Sequence, residues 1–277
     1  MILSLLRLIR PWYAVPLSGG LIVIAAYAAG GKLGSFVPRL VWAYVSLFCV
    51  ISSAYVLNDL WDVRFDAINN PDKVIPKGLI STKLASFVHG LLLTSGLLAS
   101  TLCGWRYFAV LSVTVGGLVF YNRFSKRLGI FKDILAAALT TSLYPLALSL
   151  TDPVITPRFK SLYIFPVWLF MTGVGYEMLK DIRDIRGDNV VIEKRTFVSD
   201  SRFLLSARIF LVVAGALSLL PYILDYCGTV YLVSSVIAIV LVIAAITRPA
   251  VKAIPFIYAE VFLITAGALA DLWVYGP

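Results

Sequence analysis

The chain has 277 residues, 60% of them hydrophobic and only 14% charged, against roughly 25% charged residues in soluble domains. A soluble fold of this composition cannot cover its surface with polar groups, which leaves an integral membrane protein. The formal net charge of +9 then points to loops facing anionic lipid rather than to a nucleic-acid partner.

The opening Met1-Ile2-Leu3-Ser4-Leu5-Leu6 runs straight into Arg7 and Arg10. It predicts a short helix lying along the membrane surface rather than a cleavable signal peptide. Nine apolar segments follow, at about 11–31, 40–58, 84–105, 107–122, 134–151, 161–176, 209–224, 226–247 and 253–274. Several are shorter than the usual ~20 residues and are completed by flanking side chains whose charged ends reach the interface. If the N-terminus is cytoplasmic, 19 of the 24 lysines and arginines fall on the cytoplasmic side and 5 on the other, as the positive-inside rule requires. The longest connections, 59–83 and 177–208, are then both cytoplasmic loops. No composition shift divides the chain, so residues 1–277 read as one transmembrane domain. Cys49, Cys103 and Cys227 each lie in apolar runs with no CxxC pair and read as small packing residues.

The two long connections each begin with the same pattern. Asn58-Asp59-Leu60-Trp61-Asp62-Val63-Arg64-Phe65-Asp66 and Lys180-Asp181-Ile182-Arg183-Asp184-Ile185-Arg186-Gly187-Asp188 are both D-x-x-D-x-x-x-D. Six of the chain's 15 acids sit in these windows. On a helix, positions i, i+3 and i+7 share a face, so Asp59, Asp62 and Asp66 line one stripe and Asp181, Asp184 and Asp188 another. Such stripes repel unless cations lie between them. Mg²⁺ takes oxygen ligands and bridges carboxylates to phosphates, so two facing stripes suit a diphosphate whose leaving charge they stabilise. The alternative is two solvated loops whose acids pair with Arg64, Arg183 and Arg186. Identical spacing on one side of the membrane argues against it.

A diphosphate also needs cations. Lys73 and Lys77 follow the first window, Tyr121, Arg123 and Lys126 follow the fourth span on the same side, and Lys180 opens the second window. Each suits a phosphate clamp, and each also suits an ordinary interfacial anchor.

The two windows resemble the NDxxDxxxD and DxxDxxxD signatures of the UbiA superfamily of intramembrane prenyltransferases. Asn58, Asp59, Asp62 and Asp66 meet the first, and Asp181, Asp184 and Asp188 the second. Arg10-Pro11 is similar to the pair that opens the family's first span. The run from Asp66 through Asn70-Pro71-Asp72-Lys73 to Ile75-Pro76 is similar to members that make archaeal ether lipids, and to some chlorophyll and quinone enzymes. The resemblance covers the whole chain. It implies an all-α fold of nine helices around a central cavity, with both acidic motifs in cytoplasmic loops. It further implies Mg²⁺, an allylic polyprenyl diphosphate donor (geranyl to geranylgeranyl or longer), a lipid or aromatic acceptor, and release of pyrophosphate through an allylic carbocation. In that scheme Asn58, Asp62, Asp66, Asp184 and Asp188 are catalytic and all six aspartates surround the metal. The chain departs from many relatives by Tyr176-Glu177 in place of Arg-Glu, and by a spacing of five rather than four between Tyr121 and Lys126.

Three further polar residues fall in spans. Glu260 reads as a functional group in the ninth span, paired with a basic residue or taking a proton from the acceptor. Asp271 reads as the far interface, and His89 as a packing or hydrogen-bonding residue. Trp61 and Phe65 interrupt the first window and suit packing against substrate. Two other classes compete. A secondary transporter places its charges near the membrane midplane, whereas here the acids lie at the edge. A CDP-alcohol phosphatidyltransferase needs an Asp-Gly pair, and the chain contains none.

Overall fold

The computed structural model describes residues 1–192 and 201–276, with the side chains of Lys126 and of residues 185–192 outside the description. The described residues are helical throughout, with no strand. In chain order the helices are α1 (Ile2–Ile9), α2 (Pro11–Ala28), α3 (Val37–Trp61), α4 (Val63–Asn69), α5 (Thr82–Thr101), α6 (Trp105–Phe124), α7 (Ile130–Thr141), α8 (Leu143–Leu148), α9 (Pro157–Ser161), α10 (Phe165–Ile192), α11 (Ser201–Leu217), α12 (Leu220–Ile223), α13 (Thr229–Ile246) and α14 (Ala250–Tyr275). Among the described residues, nine helical segments are long and apolar enough to cross a membrane, as the hydropathy pattern predicts. The fifth crossing is divided between α7 and α8, and the sixth runs from α9 into α10.

The surface helix is present. α1 buries Leu8 while Met1, Ile2 and Leu3 stay exposed. Arg10 closes it in the left-handed region at φ 50° and feeds Pro11 into the first turn of α2, where a missing N–H costs nothing. Leu8 packs with Val56, Val74, Ile75, Ile80 and Ala85. This apolar cluster ties the 70–81 turn to the end of α3 and so fixes where Lys73 projects.

In lipid the apolar effect does not draw helices together, and close packing through small residues does. Ser46 Oγ of α3 donates to the Gly96 carbonyl of α5 at 2.8 Å, and a Cβ on Gly96 would lie 2.8 Å from Val50. Gly173 lets α7 reach α10 in the same way, because a Cβ there would meet Ala137 at 3.1 Å.

The two expected loops are partly helical, the second more than the first. α10 continues through the second acidic window to Ile192, and α11 starts at Ser201. The expected 177–208 loop is therefore mainly helix, since nothing in 177–192 is a proline and its single glycine does not stop the ladder. Asp181 and Asp184 lie on a spanning helix's extension rather than in a loop. In the first window, Asn58 and Asp59 end α3 and Asp66 lies on α4.

At the far end of the bundle, Asp271 is fully buried inside the protein. It pairs with Arg158 at 3.0 Å and accepts from the backbone N–H groups of Gly228 (2.9 Å) and Tyr231 (3.1 Å). Arg158 also donates to the Tyr226 carbonyl at 2.6 Å. Buried Cys227 and Cys103 are free thiols, and Cys49 is half-buried.

Candidate functional site

The first acidic window is divided between two helices, with Asp59 and Asp62 both within electrostatic reach of Asp66. Asp62 has φ −93° and ψ 11° and ends α3 while opening α4, so the helix bends inside the motif. Across this break Asp66 and Asp59 still face one cation, as their i, i+7 spacing allows. Lys73 Nζ donates to Asp59 Oδ1 at 2.9 Å and to Asp66 Oδ2 at 2.6 Å. Arg10 donates to the same Asp59 oxygen at 2.5 Å and lies 5.0 Å over the Tyr55 ring. Burial pushes the Asp66 carboxyl up from the ordinary carboxylate range, and Lys73 pulls it back. Asp62 is half-buried, and the Asn58 amide donates to it at 3.1 Å.

The second window lies on continuous α10. Asp181 and Asp184 share a face there, as i and i+3 must, and the side chain of Asp188 lies outside the described residues. Asp181 is held by the Lys132 ammonium from α7. Asp184 accepts from Arg183 Nε at 2.8 Å and from its terminal nitrogen at 2.9 Å. The helix that carries Asp66 touches the second window, because the Asn69 amide at the end of α4 donates to the Asp184 carbonyl at 2.9 Å.

The sequence-selected cations divide. Lys73 lies between the first-window acids. Lys180 pairs with Glu177 at 3.0 Å and lies 5.9 Å from the Tyr176 ring centroid. Tyr121 is half-buried within electrostatic reach of Glu177, Lys180, Lys132 and Asp181. Arg123 is exposed and lies 5.9 Å over the Trp61 ring, at the rim rather than among the carboxylates. Lys77 pairs with Asp72 at the surface, and the side chain of Lys126 lies outside the described residues. His89 is a hydrogen-bonding residue, its Nδ1 2.7 Å from Ser53 Oγ. Glu260 is 1% exposed, and its partner is an indole rather than a base, Trp168 Nε1 donating at 2.7 Å.

Sequence reasoning missed two groups. One is a chain of tyrosines from four helices. Tyr13 stacks near Tyr55 and Tyr258, with centroids 5.8 and 5.5 Å apart, and Tyr258 lies 5.3 Å from Tyr176. The Tyr176 and Tyr258 hydroxyls share a hydrogen bond of 2.6 Å. With Arg10 at one end and Lys180 at the other, this aromatic wall connects the two windows. No spacing rule links positions 13, 55, 176 and 258. The other group is Lys132 and Asp133, which read as loop residues but occupy the first turn of α7.

The donor set is carboxylate and amide oxygen, the chemistry that hard divalent cations require. Among the described residues no three carboxyl groups converge by themselves, and ammonium or guanidinium groups lie between them. The Lys73 ammonium bridges two carboxylates from opposite sides of the helix break, as a bridging cation does, so the residues suit Mg²⁺.

The UbiA prenyltransferase family model matches residues 17–253. The digeranylgeranylglyceryl phosphate synthase of Natronomonas pharaonis is 31% identical over 248 residues, covering 88% of this chain and 87% of that protein. The synthase of the same name from Metallosphaera sedula is 30% identical over 216 residues, covering 76% and 74%. A solved digeranylgeranylglyceryl phosphate synthase shares the fold with a TM-score of 0.70 at 22% identity, over 98% of both chains. A UbiA homologue from Archaeoglobus fulgidus, bound to GPP and Mg²⁺, shares it with a TM-score of 0.68 at 16% identity, over 98% of this chain and 100% of that one. With both acidic signatures held at one end of a nine-span helical bundle, this chain belongs to the UbiA prenyltransferase family and is an integral membrane prenyltransferase.

Proposed function

We propose that the chain moves a geranylgeranyl-type isoprenyl group from an allylic polyprenyl diphosphate to the free hydroxyl of a glycerophosphate ether lipid, as a single catalytic unit over residues 1–277. The observation that carries this is the contact of α4, which bears Asp66, with the second window through the Asn69 amide on the Asp184 carbonyl. It brings two sets of carboxylates to one end of the bundle, where one diphosphate can reach both. The names of the archaeal relatives support the ether-lipid acceptor.

In this reading Asp59, Asp62, Asp66, Asp181, Asp184 and Asp188 would hold Mg²⁺, with Asn58 beside them as a catalytic residue. When bound, Mg²⁺ supplies positive charge where the leaving diphosphate becomes more negative. Lys73 and Lys180 turn from their acids to phosphate oxygens, with Tyr121 beside them and Arg123 and Lys126 at the rim. The C1–O bond of the donor breaks and its electron pair leaves with the diphosphate. The acceptor hydroxyl attacks the allylic cation and loses its proton. The apolar bundle keeps water from the cation. The basic residues around this end support a cytoplasmic orientation for it.

The test is product formation by purified protein with geranylgeranyl diphosphate and Mg²⁺. Geranylgeranylglyceryl phosphate and 4-hydroxybenzoate are offered in parallel, with an EDTA control. Prenylated ether lipid lost in EDTA is the expected result. Prenylated hydroxybenzoate alone would replace the acceptor assignment. No product and no metal-dependent diphosphate binding would overturn the reading.

Lys73→Met tests the first window separately. It leaves two largely buried carboxylates without their shared cation and should lower unfolding stability by about 1–3 kcal/mol. Added Mg²⁺ should recover the loss in a detergent melt. A loss that Mg²⁺ leaves unchanged would argue against metal at Asp59 and Asp66.

A further inference from the structure

Asp133 is fully buried, at 0% exposure, and neither of its carboxylate oxygens has a hydrogen-bond partner among the described residues. An unpaired buried carboxylate is costly, and native folds rarely keep one without a use. Its surroundings are charged rather than apolar. From α10 it faces Asp181, Glu177 and Lys180, and from its own helix Lys132. Tyr121 of α6 lies within electrostatic reach of the same groups. Both lysines are engaged, Lys132 by Asp181 and Lys180 by Glu177. The cluster holds three acids and two lysines, and Asp133 is the acid left over.

The assignment of Asp181 to Mg²⁺ creates a matching surplus. The side chains of Lys132 and Asp181 are each only 12% exposed. If Asp181 turns to a metal ion, Lys132 becomes a buried ammonium without a counter-ion, an unfavourable state, while the Asp133 carboxyl within its electrostatic reach has no hydrogen-bond partner among the described residues. One rearrangement removes both.

We propose that Asp133 is a positioning residue that receives the Lys132 ammonium when Asp181 engages the metal, so that Lys132 exchanges between two carboxylates as the site loads. This rests on the two-window metal reading above. Asp133 itself touches neither metal nor substrate. It lowers the cost of freeing Asp181, and the close approach of α7 to α10 at Gly173 brings the three groups together.

The experiment is calorimetric binding of Mg²⁺ with inorganic pyrophosphate to the full chain in detergent, for wild type, Asp133→Asn, Lys132→Met and the double variant, with unfolding temperatures of the unliganded proteins. Asp133→Asn should weaken metal binding by ~10–100-fold, the range for groups that support a metal ligand without touching the ion. It should also leave the unliganded protein about as stable as wild type, since the carboxyl it replaces makes no hydrogen bond among the described residues. Lys132→Met should bind at least as tightly as wild type, and in that background Asp133→Asn should have no further effect. Unchanged binding in Asp133→Asn, or an equal loss with and without Lys132, would overturn the exchange. So would loss of binding in Lys132→Met, which would place the ammonium on the diphosphate. Wild-type protein that binds no Mg²⁺ with pyrophosphate would overturn the metal reading itself, and is distinguished by failing before any variant is compared.

Discussion

Asp62→Ala and Asp184→Ala should each reduce prenyl transfer at least ~10²-fold, the scale of losing a charge that stabilises the transition state, while the protein melts close to the wild-type temperature. Both halves follow from placement. Asp62 stands at the break between α3 and α4 and accepts only from the Asn58 amide. Asp184 is held by its own neighbour Arg183. Neither carboxylate is buried, and among the described side chains neither has a cation from another helix, so little folding free energy depends on them. Asp59 contrasts with both, being buried and paired with Arg10 and Lys73. The measurement is product formed per folded protein, with Mg²⁺ and donor saturating. Substantial turnover in both variants would remove the two-window metal site and leave the acids as loop charges.

Asp271→Ala should behave in the opposite way, destabilising the protein by about 3–5 kcal/mol, the usual cost of breaking a buried pair from one side, with activity per folded molecule retained. The substitution leaves the Arg158 guanidinium, only 9% exposed, without its carboxylate. It also leaves the Gly228 and Tyr231 N–H groups without their acceptor. These groups join the start of α9, the turn before α13 and the end of α14. Asp271 lies 13 residues past Tyr258, about 20 Å at the helical rise, and so far from the acidic windows. Thermal unfolding in detergent, compared with Arg158→Met, checks the result. An unchanged melt would mean that the buried pair is no better than the packing that replaces it.

The contrast shows which properties are legible in a one-dimensional chain. The nine crossings, the surface helix at 2–9 and the placing of both acidic windows at one end rest on local hydropathy and on the count of basic residues. Lipid and water read each segment by those properties, whatever its neighbours. The acidic signatures were legible for a similar reason, since their spacing carries the chemistry. The helical break at Asp62 was not, because the same residues suit a continuous helix, and the place of Lys73 was not, because it depends on the packing of the 70–81 turn against Leu8 and Val56.

Pairing was decided in three dimensions. Lys132 reads as a membrane-edge anchor and is the partner of Asp181. Asp271 reads as an interface residue and is the buried partner of Arg158. Tyrosines 13, 55, 176 and 258 have no sequence relation and form one wall. These contacts depend on which helices touch and at what rotation. In lipid that choice is made by close packing at small residues such as Gly96 and Gly173, where a Cβ would collide with the neighbouring helix, and by the few hydrogen bonds that cross between helices. The sequence by itself therefore determined the number of crossings, their most consistent orientation and the class of chemistry, because each is a sum over local properties. Which acid each cation holds, and the leftover carboxylate of Asp133, were decided only by the tertiary structure, because lateral packing brings together residues that no periodicity connects.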